Sequence, residues 1–264
     1  MTPEDAAVPS GALEFAMATA RDAGAILRER FGVNRTIEFK GVVDLVTDAD
    51  RASEQLRASR LRATFPNHRV VGEEGIASSS GDENGYVWVV DPLDGTTNYA
   101  HGYPHYGVSI ALAHGQDVLV GVIYDPMRDE LFAAERGKGA SLNGKAIRVT
   151  EESELICSLV ATGFAYDLSL RDAQLDIWRR MQGVTRGIRR DGAAALDLAW
   201  TAAGRLDGFW EDPLQPWDMA AGSLLVTEAG GRISAYANAP YNAFGTGAVA
   251  TNGRIHDAIL AIIG

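Results

Sequence analysis

The feature that most constrains the fold is a change of rhythm near residue 150. Before it, apolar and β-rich runs at 108–113, 118–124 and 130–134 are separated by short turn formers, His114-Gly115 and Asp125-Pro126. A glycine-rich corner follows, and Asn143-Gly144 then turns into a further strand at 147–149. Successive strands closed by such short turns pair with their neighbours, which predicts an antiparallel meander. Beyond Thr150, strand-like runs at 155–161, 206–210, 232–235 and 248–251 alternate with helical ones at 173–182, 194–203, 219–229 and 255–262. That alternation predicts an α/β unit. The 264 residues therefore read as two fused halves, 1–150 an α+β half with an antiparallel sheet and 151–264 an α/β half with a mixed sheet. Upstream, Leu13, Met17, Ala20, Gly24, Leu27 and Phe31 fall on one helical face. Residues 36–46 read as an extended piece or a loop. A second helix is expected from near Thr47, with Leu56 and Phe65 inward, stopping before Pro66. A buried strand is expected at 86–90.

Charge narrows the function. With 24 basic against 35 acidic residues the net charge is −11, which argues against a nucleic-acid or anionic-membrane partner. Solubility accounts for such a surface; so do carboxylates that hold cations. No run is long and apolar enough for a membrane span, and Glu4 and Asp5 stand where a signal peptide carries positive charge, so the expected location is cytoplasmic. Cys157 is the sole cysteine, in an apolar run, and reads as a buried, inert thiol.

Two motifs mislead. Gly139 to Lys145 matches a P-loop up to the position of its hydroxyl residue, where Ala146 stands, and Asn143-Gly144 makes it a hairpin turn. The five histidines show no zinc-ligand spacing, and no zinc site is expected.

Three segments carry the chemistry: Gly72-Glu73-Glu74-Gly75, Asp91-Pro92-Leu93-Asp94-Gly95-Thr96-Thr97-Asn98, and Glu211 with Trp217-Asp218-Met219-Ala220-Ala221-Gly222. A buried strand delivers Asp91, Pro92 breaks it, and Asp94 follows on a bend where the two carboxylates can converge. A helical turn beginning at Thr96 would aim free amides at an anion. Each piece alone also has a plain structural use. Asp-Gly is a common turn, Glu73-Glu74 a solvated pair, Asp218 a helix N-cap, and Thr47 with Asp50 a capping box. Together, Glu73, Asp91, Asp94 and Asp218 are hard oxygen donors, which favour Mg²⁺ or Mn²⁺ over zinc.

These motifs, in order and spacing from about Leu13 onward, resemble the signatures of the inositol monophosphatase family of Mg²⁺-dependent, lithium-sensitive phosphatases. The resemblance implies a layered α-β-α-β-α sandwich and a homodimer. It implies one Mg²⁺ on Glu73, Asp91 and the Leu93 carbonyl, a second on Asp91, Asp94 and Asp218, and a third, weaker ion near Glu73. Glu73 and Thr96 would hold the attacking water, with Asp50 hydrogen-bonded to Thr96. The amides of Gly95 and Thr96 would grip phosphate; Glu211 and Ala194 would contact the substrate ring; Lys40 matches a lysine on a loop near the site. Thr97 stands where relatives acting on histidinol phosphate or 3′-phosphoadenosine 5′-phosphate carry Lys or Arg, which favours inositol monophosphate. Fructose 1,6-bisphosphate or broader sugar phosphates are the enzymatic rivals. A binding or regulatory protein retaining the fold is the rival of another class, since some bacterial relatives serve in transcription complexes. One departure stands out: Arg190-Asp191-Gly192-Ala193-Ala194 replaces Leu-Gly-Ser-Ala, adding Asp191 and losing a serine hydroxyl at Ala193.

Overall fold

Side-chain alternation decides how the strand Tyr86–Asp94 is used. Val87 and Val89 enter one hydrophobic cluster, Trp88 and Val90 another, and all four are buried. A strand apolar on both faces must be covered on both. The computed structural model describes residues 6–32, 37–39, 45–47, 60, 61, 63–73 and 85–264. It opens with helix α1 (Ala12–Arg30) and an antiparallel ribbon, β1 (Ile37–Phe39) and β2 (Leu45–Thr47). A seven-stranded sheet then runs in chain order: β3 (Arg69–Gly72), β4 (Tyr86–Asp94), β5 (Gly107–His114), β6 (Asp117–Asp125), β7 (Glu130–Glu135), β8 (Ala140–Leu142) and β9 (Lys145–Ala146). Helix α2 (Thr96–His101) lies between β4 and β5. The remainder alternates: β10 (Leu159–Thr162), α3 (Arg171–Gln182), β11 (Gly187–Arg189), α4 (Ala194–Ala202), β12 (Gly208–Glu211), α5 (Pro216–Glu228), β13 (Arg232–Ser234), β14 (Ala248–Thr251) and α6 (His256–Ile263). Its strands form a second sheet of order β11-β10-β12-β14-β13, parallel at β10–β11 and β10–β12 and antiparallel elsewhere.

The layers follow from these faces. Helix α1 packs on β5, β6 and β7, while α4 and α5 pack on each other and on the opposite face of the same sheet. Both also touch the second sheet, whose far side carries α3 and α6. The order is thus α-β-α-β-α, and the largest apolar cluster lies around α4 and α5, between the sheets. Close approach there depends on glycine. A Cβ on Gly121 of β6 would lie 2.6 Å from the Ala221 carbonyl oxygen of α5. Backbone on both sides leaves no flexible atom to yield.

Several expectations are corrected. The meander is β4 to β9, but β3 joins it in parallel, so this sheet is mixed. The run 147–149 leaves the sheet: Val149 N donates to Ala229 O at 3.2 Å, toward the end of α5. The buried face of α1 is built from Ala12, Ala16, Ala20, Ala23 and Leu27, with Leu13 and Met17 at its margin. Thr47 itself lies in β2, while residues 60, 61, 63 and 64 are helical ahead of Pro66, as expected for the end of the second helix. Leu56, with most of that expected helix, lies outside the described residues, as do Lys40 and Asp50. Cys157 is half-buried rather than buried, at the end of a short 3-10 turn before β10.

Candidate active site

Parallel pairing of β3 with β4 brings two strand ends to one edge. The register sets Gly72 beside Val90, so Glu73, just past the end of β3, comes beside Asp91 of β4. Strand β4 does not stop at Pro92. It continues to Asp94 through a register shift against β5, because a proline without N–H is tolerated where the ladder is already displaced. The shift turns Asp91 and Asp94 inward; they are 2% and 7% exposed. Asp91 Oδ1 accepts from Leu93 N at 2.8 Å, and Thr96 Oγ1 donates to Leu93 O at 2.9 Å. The bend is therefore tied to the start of α2. Gly95 precedes that helix at φ +87°, where a Cβ would also meet the His105 carbonyl at 3.1 Å.

The second half contributes three groups. At the start of α4, Ala195 N donates to Asp94 Oδ2 at 2.9 Å, so a free helix-end amide holds a carboxylate of the other half, beside Ala194. Asp218 is the third residue of α5 and not its cap. Its Oδ2 accepts from Gln215 N at 2.7 Å, and Gln215 caps the helix ahead of Pro216. Ser109, opposite Asp91 in the ladder, donates to Trp217 O at 3.0 Å and ties β5 to this helix start. Glu211 ends β12, with its carboxylate over the bare Cα of Gly163, where a Cβ would collide with it. It borders a cavity of about 240 Å³ whose walls include Thr162, Gln174, Trp210 and Tyr236.

The electrostatics are those of a cation site. Burial raises the Asp91 carboxyl well above the usual range, and Glu73, Asp94 and Asp218 raise it further. Asp94 is pushed up to about 8, first by burial and then by Asp218, against the amides of Ala195 and Leu196. Asp218 reaches about 7, chiefly by burial. Glu211 rises to about 8, again by burial, with Arg190 opposing and Asp94 adding. Four carboxylates that repel one another in a buried space, all hard oxygen donors, fit divalent cations of the magnesium type. Thr97 Oγ1 is buried and unpartnered among the described residues. The Asn98 amide bridges two loops, donating to the carbonyls of His105 at 2.8 Å and Asp191 at 2.7 Å. Sequence reasoning missed Arg190 and Asp197, a buried residue of α4 whose carboxyl is raised by burial, Asp191 and Glu211. The only signal for Arg190 was its place at the motif departure.

Fold and site together define a layered α/β protein with a carboxylate cluster suited to divalent cations. The model of the inositol monophosphatase family matches residues 9–264, and the chain belongs to that family. It is 47% identical over 229 residues to a protein of Pseudomonas aeruginosa named Nus factor SuhB, covering 84% of each chain. It is 43% identical over 254 residues to inositol monophosphatase 2 of Solanum lycopersicum, covering 94% of this chain and 96% of that one. Among solved structures, the SuhB protein of Bartonella henselae superposes with a TM-score of 0.92 at 39% identity, covering 96% and 98% of the two chains. An IMPase of Thermotoga maritima superposes at 0.86 and 34%, covering 95% and 96%. The family supports hydrolysis of phosphate monoesters with divalent metal, hence a small phosphorylated substrate. No helix among the described residues is long and apolar enough to cross a membrane.

Proposed function

We propose that this chain hydrolyses inositol monophosphate to inositol and phosphate, with two or three Mg²⁺ ions per subunit and Mn²⁺ as a substitute. The observation that carries the reading is the meeting of Glu73, Asp91 and Asp94 with Asp218 and Glu211 from the other half. Glu73, Asp91 and the Leu93 carbonyl would hold one ion; Asp91, Asp94 and Asp218 a second; a third would sit near Glu73. The ions would neutralise phosphoryl oxygens and acidify water. Glu73 would orient the attacking water for direct in-line displacement, together with Thr96. The Thr96 hydroxyl donates to Leu93 O, which fixes it beside the proposed ligand carbonyl. The amides of Gly95 and Thr96 and the unpartnered Thr97 hydroxyl face the phosphate role, and Glu211 with Ala194 the ring. Asp50 and Lys40 keep the roles that the resemblance implies. In this reading residues 1–150 supply most metal ligands, and 151–264 the substrate contacts and the last ligand. We expect lithium inhibition, a homodimer and a cytoplasmic location.

The test is phosphate release from inositol 1-phosphate, fructose 1,6-bisphosphate, histidinol phosphate and 3′-phosphoadenosine 5′-phosphate, each with Mg²⁺, EDTA, or Mg²⁺ plus lithium. The expected result is a strong preference for inositol 1-phosphate. Equal or faster release from fructose bisphosphate would overturn the ring assignment of Glu211. The identity to a protein named Nus factor SuhB supports a second reading, a Nus-factor role alongside catalysis. That role would survive in Asp94→Asn, which removes a metal ligand without altering the surface.

A further inference from the structure

Outside the carboxylate cluster, one group among the described residues sets three potential metal-binding side chains with ligand atoms within 4.8 Å of one another: His105, Asp191 and Asp197. His105 lies between α2 and β5, Asp191 between β11 and α4, and Asp197 on the first turn of α4. Ligands so far apart in sequence leave no spacing signature, which is why the histidine pattern pointed away from zinc.

His105 is 3% exposed and Asp197 1%. His105 Nε2 and Asp197 Oδ1 are both shielded from solvent and without a hydrogen-bond partner among the described residues. Buried polar atoms are nearly always paired, and two orphans in one cluster call for a shared ligand. Several neighbouring donors are engaged elsewhere, whereas the Trp200 indole N–H, on the ring packed edge-on against His105, is also buried without a partner among the described residues, and Arg190 acts on Asp197 from nearby. The Asn98 amide is spent on the backbone carbonyls of His105, Asp191 and Gly192. Arg128 donates to Asp125 Oδ2 at 2.7 Å and lies over the Trp200 ring. Burial favours the neutral imidazole, the form that coordinates metals.

We propose that His105, Asp191 and Asp197 form a binding site for a zinc-class divalent ion, separate from the hydrolytic metals. An imidazole nitrogen with two carboxylates suits Zn²⁺ better than Mg²⁺ and leaves a fourth position for water. Two carboxylate charges balance the ion. Tetrahedral coordination at zinc bond lengths sets ligand atoms about 3.4 Å apart, so the cluster closes by roughly an ångström on binding. The ion would clip together the two loops that flank Gly95, where an added Cβ would meet the His105 and Gly192 carbonyls. Asp191 is the residue added at the motif departure.

The test is calorimetric titration of ZnCl₂ into full-length protein in excess Mg²⁺, for wild type, Asp191→Ala, His105→Gln and Asp94→Asn, each checked for fold by circular dichroism. Wild type and Asp94→Asn should bind one Zn²⁺ more per chain than Asp191→Ala or His105→Gln, and Zn²⁺ should raise the wild-type Tm by several degrees but not that of Asp191→Ala. Should buried His105→Gln fail to fold, Asp191→Ala at a partly exposed position decides. Equal Zn²⁺ stoichiometry in wild type and Asp191→Ala would overturn the site and leave the cluster to bridging water. Loss of the extra ion in Asp94→Asn alone would overturn it too, by placing the zinc on the hydrolytic carboxylates.

Discussion

Stripping metal from this protein should make its stability fall as pH rises above neutrality. The cause is Asp94, whose carboxyl is pushed up to about 8 by burial and by Asp218, against an ordinary value of 3.8. Between these values the folded state keeps a proton that the unfolded chain has released. The folded state therefore binds more protons, and stability declines as pH climbs. The histidines act in the opposite direction: burial lowers His68, His105 and His256 from 6.5, so their contribution rises with pH and is complete by about pH 6.5. From about pH 6.5 to about pH 8 the raised carboxyls act without that opposition, and Asp94 by itself costs about 2 kcal/mol over that interval. For a chain of this size that lowers Tm by about 4–8 °C. Glu211, also about 8, adds to the fall. The assay is differential scanning calorimetry in EDTA at several pH values, repeated in saturating Mg²⁺. Bound cations displace the protons, so the slope should flatten with Mg²⁺ and be shallower in Asp94→Asn than in wild type without it. A metal-free Tm that is level or rises across the interval would refute the reasoning.

Three further outcomes are expected. Gly121→Ala forces a methyl against the Ala221 carbonyl and should cost about 1–3 kcal/mol in denaturant unfolding. Because Asp218 rides on the displaced α5, the Mg²⁺ concentration for half-maximal activity should also rise. Asn98→Ala leaves the His105 and Asp191 carbonyls without their amide partner, which should lower stability by about 1–3 kcal/mol in thermal melts. Glu211→Gln replaces the carboxyl proposed to contact the ring hydroxyls with an amide of nearly the same shape. It should reduce kcat/KM for inositol 1-phosphate about fivefold, or about 1 kcal/mol, with a smaller loss on p-nitrophenyl phosphate, which has no ring hydroxyls.

What could be read in the sequence was local. Asn143-Gly144 and His114-Gly115 announce hairpins because their backbone preferences are intrinsic, and the meander follows. The residues of the Asp91–Asn98 motif are contiguous, so the bend that presents Asp91, Asp94 and Thr96 was legible in outline. What depends on partners distant in the chain was not. The parallel seat of β3, which puts Glu73 beside Asp91, has no signature within Arg69–Gly72. Pro92 reads as a strand breaker until the register shift against β5 makes it harmless. Helix α1 buries alanines rather than its larger Leu13 and Met17, because the sheet beneath approaches closely. Asp218 looked like a cap, and only the observed start at Pro216 makes it the third residue, held by Gln215 N. The grip of Ala195 N on Asp94 joins residues 101 positions apart.

The most direct test of the account is steady-state phosphate release from inositol 1-phosphate by wild type and by Asp94→Asn, each in Mg²⁺ and in EDTA. The account predicts turnover by wild type in Mg²⁺ alone, and none by a variant that circular dichroism reports as folded. Near-wild-type turnover by Asp94→Asn, or wild-type turnover that persists in EDTA, would contradict it.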